Sequence, residues 1–423
     1  MKLSILPEWL CRPAAAVLAL VALLLPSTPG YSQGVTTGNI TGVVMNAEQP
    51  VSGAAVIAIH LPSGTSYESR TRNDGRFFIP GARVGGPYSV TVTFEGGVGT
   101  AFQPETKDDV TVNLGVSSDL RFDVRAITVA ETVTVTATVD PVFSSSHTGA
   151  ATTVGRAEIA TLPTLSGRIS DVTRLTPQSS GENFAGFDNR SNNITVDGSS
   201  FNSSFGLAGQ PGGRTGVAPI SLEAIEQIQV SIAPYDVRQG AFVGAGVNTV
   251  TRSGGNRVSG AFYHRFRDQD WVGSEAKGQT FQSSTFSFRN TGGWASGPII
   301  RNKWFAFGNY ENELDKRPLT TFSARQGSEP IAGNTTRVLA SDLTALSQYL
   351  KTNFDYDTGG FTDLPDETPA KRFLLRSDYN MSNANKVSFR YNQLDSFTDV
   401  GMSNSTSALR GRSAGSSSLS NSC

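Results

Sequence analysis

Cysteine is almost missing: 423 residues contain only Cys11 and the final Cys423. Cys11 falls within an apolar leader, so the rest of the chain is expected to hold no internal disulfide, which excludes a disulfide-stapled scaffold. Cys11 also precedes the apolar run instead of following it, unlike a lipoprotein cysteine. Histidine is nearly as scarce, and His60, His147 and His264 have no partner at ligand spacing, so no metal site is expected. HExxH and the GxxxxGK phosphate loop are absent, and Gly244-Ala245-Gly246 lacks the third glycine of a dinucleotide fingerprint. No catalytic residue and no cofactor is therefore expected; the chain does not read as an enzyme. Charge of one sign is lacking too: 35 Lys and Arg against 36 Asp and Glu give a net charge of −1, with no basic field for nucleic acid. After Gln33 no apolar run is long enough for a membrane helix.

What is present begins with the leader. Lys2 and Arg12 precede the apolar run Ala14 to Leu25, and Pro26, Pro29 and small residues around Ser32 follow. This is the layout of a cleaved secretory signal over residues 1–32; the run is short for a retained anchor. Glycine is plentiful at 44 residues, which suits many short strands and turns.

From residue 38 to 125, apolar β-rich runs recur at Ile40–Met45, Ala54–Leu61, Phe77–Ile79, Tyr88–Phe94, Val110–Leu114 and Leu120–Val124. Turn chemistry separates them, with Asn73-Asp74-Gly75 predicting a tight hairpin. The spacing predicts a small β-sandwich. The pieces GNITGVV, PVSGAAVIAI, TRNDGRFFIPG and GPYSVTVT, in this order, resemble the carboxypeptidase regulatory-like (transthyretin-like) domain.

A Thr/Val-alternating stretch at 128–140 reads as extended chain, because β-branched side chains suit the strand backbone. The bland reading makes it the sandwich's last strand. Residues 141–257 then mix helix and strand. Ile169, Val172 and Leu175 fall at helical spacing and Pro177 ends that helix; Ile194–Val196 is a short strand closed by Asp197-Gly198. Ile220 to Ile225 reads as a short helix and Gln227–Ile232 as the strand after it. From residue 258 the period becomes two: Val387, Phe389 and Tyr391 alternate with Lys386, Ser388, Arg390 and Asn392. Similar alternation surrounds Phe286 and Phe288, Trp304–Tyr310 and Phe373–Tyr379. Such a pattern fits a transmembrane barrel or an ordinary half-buried antiparallel sheet.

The stretch from Ala218 to Asp268 resembles the end of the plug domain of TonB-dependent outer-membrane receptors, followed by the first barrel strand. ATLPTLSGRISDVTRLTPQSS and NNITVDGSSFN resemble earlier plug pieces. GPIIRNKWFAFGNYENE and KRFLLRSDYNMSNANKVSFRYNQLD resemble early barrel strands of the Oar-like members. The fold class implied is mainly β with a small α/β part: a transthyretin-like sandwich, a mixed α/β plug domain, and the first strands of an incomplete transmembrane antiparallel β-barrel over 258–423. The resemblance implies energy-coupled import of an unidentified ligand across the outer membrane of a Gram-negative cell, with outer-membrane lipid around the barrel. It implies the periplasmic protein TonB as partner, pairing with a TonB box at Glu131, Thr132, Val133, Thr134 and Val135. Arg190, Asn193, Asp197 and Arg214 lie in segments that could face the ligand, or could equally satisfy turns within the plug. Asn380 to Asn385 fits a short periplasmic turn, and Leu314 to Pro369 a long extracellular loop. The five or six strands after residue 258 fall short of the roughly 22 of a plugged transporter, so the chain is expected to be a truncated receptor. The competing reading is a secreted or surface-attached β-rich adhesion or binding protein without transport.

Overall fold

The computed structural model describes residues 35–94, 102–125, 151–164, 167–203, 209–234, 239–273, 275–276, 279–280, 286–318, 323–331, 335–361, 365–382, 385–398 and 417–422. The leader and the Glu131–Val135 segment lie outside them.

Alternating β-branched residues build the first unit. Strand β1 (Thr37–Asn46) runs between β5 (Arg76–Arg83), antiparallel, and β8 (Ser117–Asp123), parallel, with β2 (Gln49–Pro50) on its end. The facing sheet takes the order β4-β3-β6-β7, from β3 (Ala55–His60), β4 (Thr65–Arg70), β6 (Gly85–Thr93) and β7 (Glu105–Val112). Period two sends Ile40 and Val44 inward from one sheet and Val56, Ala58, Val90 and Val92 from the other, where Phe77, Tyr88 and Phe122 complete one core. Each fully buried aliphatic here stabilises by about 1.5–3 kcal/mol. The Asn73-Asp74-Gly75 turn is not the tight hairpin expected from its sequence. It carries the chain from β4 in one sheet to β5 in the other, with Gly75 at φ +70°. The turn residues are right; their partner strand lies across the sandwich.

His60 ends β3, buried against Tyr88, with Nδ1 2.7 Å from Ser63 Oγ. Burial first, and then the Arg83 charge, push its pKa down to about 3. The unfolded chain takes up that proton near pH 6.5 and the folded one only near 3, so in this window the unfolded state binds more protons. Stability of the sandwich is thus expected to fall as pH falls, by up to about 1.4 kcal/mol per pH unit below the unfolded pKa. His60→Gln should flatten that slope in denaturant titrations at pH 7 and pH 5; an unchanged slope would refute the assignment.

The second unit is a five-stranded sheet in the order β13-β12-β15-β14-β9. Its strands are β9 (Ala151–Gly155), β12 (Asn193–Val196), β13 (Ser199–Ser200), β14 (Ile225–Ser231) and β15 (Gly246–Thr251); β10 (Ser179–Ser180) and β11 (Asn183–Phe184) form a small hairpin aside. Helices α1 (Arg156–Thr161) and α2 (Ile169–Thr173) bury Ile159, Ile169 and Val172 against the sheet. The second helix is shorter than its spacing suggests: it ends at Thr173, and Leu175 is 45% exposed. The element expected at Ile220 to Ile225 is a single 3-10 turn, Leu222–Ala224, capped by Ser221 accepting from the Glu223 amide.

The third unit is a wall of six antiparallel strands in the order β16-β19-β20-β23-β24-β25. They are β16 (Ser259–Asp268), β19 (Ser287–Ile300), β20 (Trp304–Pro318), β23 (Pro365–Asn380), β24 (Lys386–Thr398) and β25 (Ser417–Ser422). Short connections join β19 to β20 and β23 to β24 at one end. At the other end the chain forms β17 (Glu275–Ala276), β18 (Gln279–Thr280), β21 (Ser323–Arg325), β22 (Thr335–Leu339) and α3 (Ala340–Phe354). The expected plain loop from Leu314 to Pro369 is therefore narrower than expected and partly structured, because β20 runs on to Pro318 and β23 starts at Pro365. Among the described residues the sheet does not close.

Its polarity is inverted. On β20, Asn309, Glu311, Glu313 and Asp315 are buried on the face toward the second unit, below Phe305 and Phe307. On the opposite face Phe262 is 77% exposed and Phe389 59%, with Phe266, Ile299, Tyr310, Phe373, Leu375 and Val387 also open. A half-buried sheet in water does the reverse, apolar side in and polar side out.

Candidate functional site

The second unit sits against the inner face of the wall, and the two share one core. Phe307 of β20 and Leu374 of β23 belong to the same cluster as Ile220, Ile225, Ile228 and Val247. Arg252, just after β15, lays its guanidinium 3.7 Å over the Trp294 ring, which stacks on Phe307. At Gly254 a side chain would meet the Ala306 and Gly297 carbonyls, so glycine lets the backbone pass against the wall.

Around this apolar contact lie two buried ionic clusters. In the first, Arg372 of β23 donates to Glu311 (2.7 Å), to Glu313 (2.5 Å) and to the Ala218 carbonyl of the second unit (2.6 Å). Glu311 also accepts from Tyr263 and from Ser221, both at 2.7 Å. Arg168 approaches Glu313 at 4.0 Å. Nearby Glu223 accepts from Arg156 and Arg265. Burial alone would raise its pKa, and the two guanidinium groups hold it below the usual glutamate value instead.

The second cluster centres on Asp197, which closes β12. Its carboxylate accepts from the Thr251 amide (2.9 Å) and hydroxyl (2.6 Å), from Arg376 (3.2 Å) and from Arg390 (3.5 Å). Arg376 also donates to the Thr251 carbonyl at 2.6 Å and to Asp378 at 3.0 Å. Buried pairs of this kind give fixed geometry more surely than net stability, but losing one partner is costly.

Of the four candidate ligand residues, Asp197 is thus committed to fastening the second unit to the wall. Asn193 is buried at the start of β12, donating to the Gly240 carbonyl and accepting from Asn202. Arg190 is exposed and pairs with its neighbour Asp188 at 2.7 Å, and Arg214 is exposed. No hydrogen bond or ion pair among the described residues joins any two of the four. Sequence reading missed Arg372, Glu311, Glu313, Arg376 and Asp378. The polar stripe Asn309, Glu311, Glu313, Asp315 at period two was the available signal.

Nothing in these clusters has the form of a catalytic apparatus. Among the described residues no three His, Cys, Asp or Glu side chains converge as metal ligands. The His60–Ser63 contact in the sandwich buries Ser63 fully, out of reach of a substrate.

The sequence model of the carboxypeptidase regulatory-like domain matches residues 39–125. No curated protein matches the chain. Among solved structures, the chain is similar to the outer membrane transporter YddB from Escherichia coli, with 13% identity and a TM-score of 0.40 over 59% of this chain and 33% of that one. The siderophore receptor PirA from Acinetobacter baumannii gives 15% identity and a TM-score of 0.37 over 64% of this chain and 43% of that one. The FpvAI–pyocin S2 complex gives 11% identity and a TM-score of 0.34 over 60% of this chain and 35% of that one. The chain therefore spans 33–43% of the length of these structures. Its β-sandwich, over the matched residues 39–125, is a carboxypeptidase regulatory-like domain.

Proposed function

We propose that the chain forms the accessory domain, plug and first barrel strands of a TonB-dependent outer-membrane receptor that imports a ligand. The observation that carries this reading is the inverted wall: apolar side chains on the open face, charges on the filled face. Lipid wets the first and the second unit, acting as plug, fills the second. The short connections near Asn302 and Asn380 lie beside the accessory domain, whose Thr65 accepts from Asn380 at 3.0 Å. That end is then periplasmic and the end bearing α3 extracellular. The plug is held by ionic clusters that can be broken in steps, which suits a part that must move. The Glu131–Val135 segment, between accessory domain and plug, would pair edge to edge with TonB and transmit the pull.

Tryptophan positions test the membrane assignment. Trp304 points outward on β20, whereas Trp294 lies under Arg252 on the plug side. In single-tryptophan variants carried in outer membranes of expressing cells, brominated lipid should quench Trp304 and leave Trp294 bright. Quenching of neither, with the chain in the soluble fraction, would instead fit a secreted binding protein and end the receptor reading.

A further inference from the structure

The accessory sandwich touches both plug and wall, through contacts that converge on one carboxylate. Asp378, near the periplasmic end of β23, accepts from Arg83 of the sandwich at 3.2 Å, from Ser253 just after β15, from Arg376 at 3.0 Å and from Ser388 at 2.6 Å. Arg376 is in turn the residue that grips the plug, through Asp197 and the Thr251 carbonyl. A chain of charges thus runs from sandwich to wall to plug: Arg83, Asp378, Arg376, Asp197.

The remaining contacts are mostly polar. The Pro62 carbonyl accepts from the Asn256 amide at 2.7 Å, and the Lys386 ammonium lies 3.4 Å over the Tyr67 ring. On the plug side, Gln227 accepts from the Leu114 amide and Gln229 donates to the Leu114 carbonyl, both at 2.6 Å. Val35, Val84 and Leu114 make a small apolar patch with Val250. Between these contacts the three units line a partly open cavity of about 390 Å³, with Tyr67 and Arg83 on one side, Glu226 and Thr251 on another, Arg376 and Asp378 on the third. An interface with a partly open, charge-lined cavity at its centre is separable in a way that the plug–wall core is not. The sandwich keeps its own complete core when it leaves.

We infer that the sandwich is a latch on the plug. Docked, Arg83 shares the charge of Asp378 and leaves Arg376 directed at Asp197 and Thr251. Undocked, Asp378 loses one of its two cations and draws Arg376 toward itself, and the partly open cavity becomes fully exposed to water. Both changes weaken the grip of the wall on β12 and β15. Docking of the sandwich and seating of the plug are then coupled, each favouring the other, as linkage requires. The inference rests on the plug-and-wall arrangement of the proposed receptor but not on any cargo or on TonB.

A buried reporter tests it in the full chain. Thr249 on β15 is 1% exposed; in a Thr249→Cys, Cys423→Ser background, reaction of the introduced thiol with a maleimide reads plug opening. Hydrogen exchange of the Leu114 amide reads undocking. Arg83→Ala removes the sandwich's charge from the latch, and Lys386→Ala removes the cation that the wall lays over Tyr67, with no sandwich residue changed. Each is expected to speed Leu114 exchange and to raise maleimide labelling roughly tenfold, Arg83→Ala by stripping a partner from a partly buried ion network and Lys386→Ala by removing the cation over Tyr67. Arg83→Lys should restore part of the effect, and the double variant should add little. Faster Leu114 exchange with unchanged labelling in both variants would overturn the coupling and make the sandwich a passenger. Unchanged exchange in both would overturn the latch itself. No transport is measured, so a negative result here stays distinct from a failure of the receptor reading.

Discussion

Arg372→Ala is expected to destabilise the seated plug by about 3–5 kcal/mol, the usual cost of stripping one partner from a buried ion network. The arginine is 3% exposed, and its guanidinium serves Glu311, Glu313 and the Ala218 carbonyl at once. Removing it leaves two carboxylates, 2% and 1% exposed, facing each other with only Arg168 at 4.0 Å. Arg372→Lys should recover little, since an ammonium cannot reproduce a fork with three directions. Adding Glu311→Gln and Glu313→Gln to Arg372→Ala should recover most of the loss, because the stranded charges are then gone. Urea titration followed by protease resistance of the plug measures this; a wild-type midpoint for Arg372→Ala would show that the cluster fastens nothing.

Phe307→Ala carries an expected cost of similar size, about 3–5 kcal/mol for a phenyl ring deleted from a packed core. Phe307 is a wall residue, fully buried, yet it packs in the plug's own cluster and stacks 6.1 Å from Trp294 beneath Arg252. The variant should therefore lower hydrogen-exchange protection in β14 and β15 of the plug as well as in β20. Phe389→Ala, on the outer face at 59% exposure, should leave the plug strands unchanged. Loss of protection confined to the wall would mean that plug and wall are separate cooperative units.

Much of this architecture was legible because it is local. Val and Ile at period two placed the sandwich strands, and the alternation in Lys386–Asn392 marked a strand whose polarity is now known to be inverted. Helix ends were less legible: Leu175 keeps helical spacing after α2 has stopped, since the hairpin at Ser179 pulls the chain away. The Asn73–Gly75 turn was recognised, but no local signal says whether a turn joins neighbours or crosses a sandwich. The site was least legible. Arg83 meets Asp378 across 295 positions, and Arg372 meets Ala218 across 154. Such pairs exist only once three units are stacked, whereas Arg190 and Arg214 stood out by composition and remain exposed.

The shared core also sets an order of events during synthesis. The sandwich closes its interior with residues from 40 to 124, so it can fold as soon as that stretch of chain is released. The plug cannot finish until Phe307 and Leu374 arrive, long after its own last strand at Gly246–Thr251 has been made. For that interval Ile220, Ile225, Ile228 and Val247 lack part of their covering. Until then that apolar surface stays open, and the wall becomes the template on which the second unit completes itself.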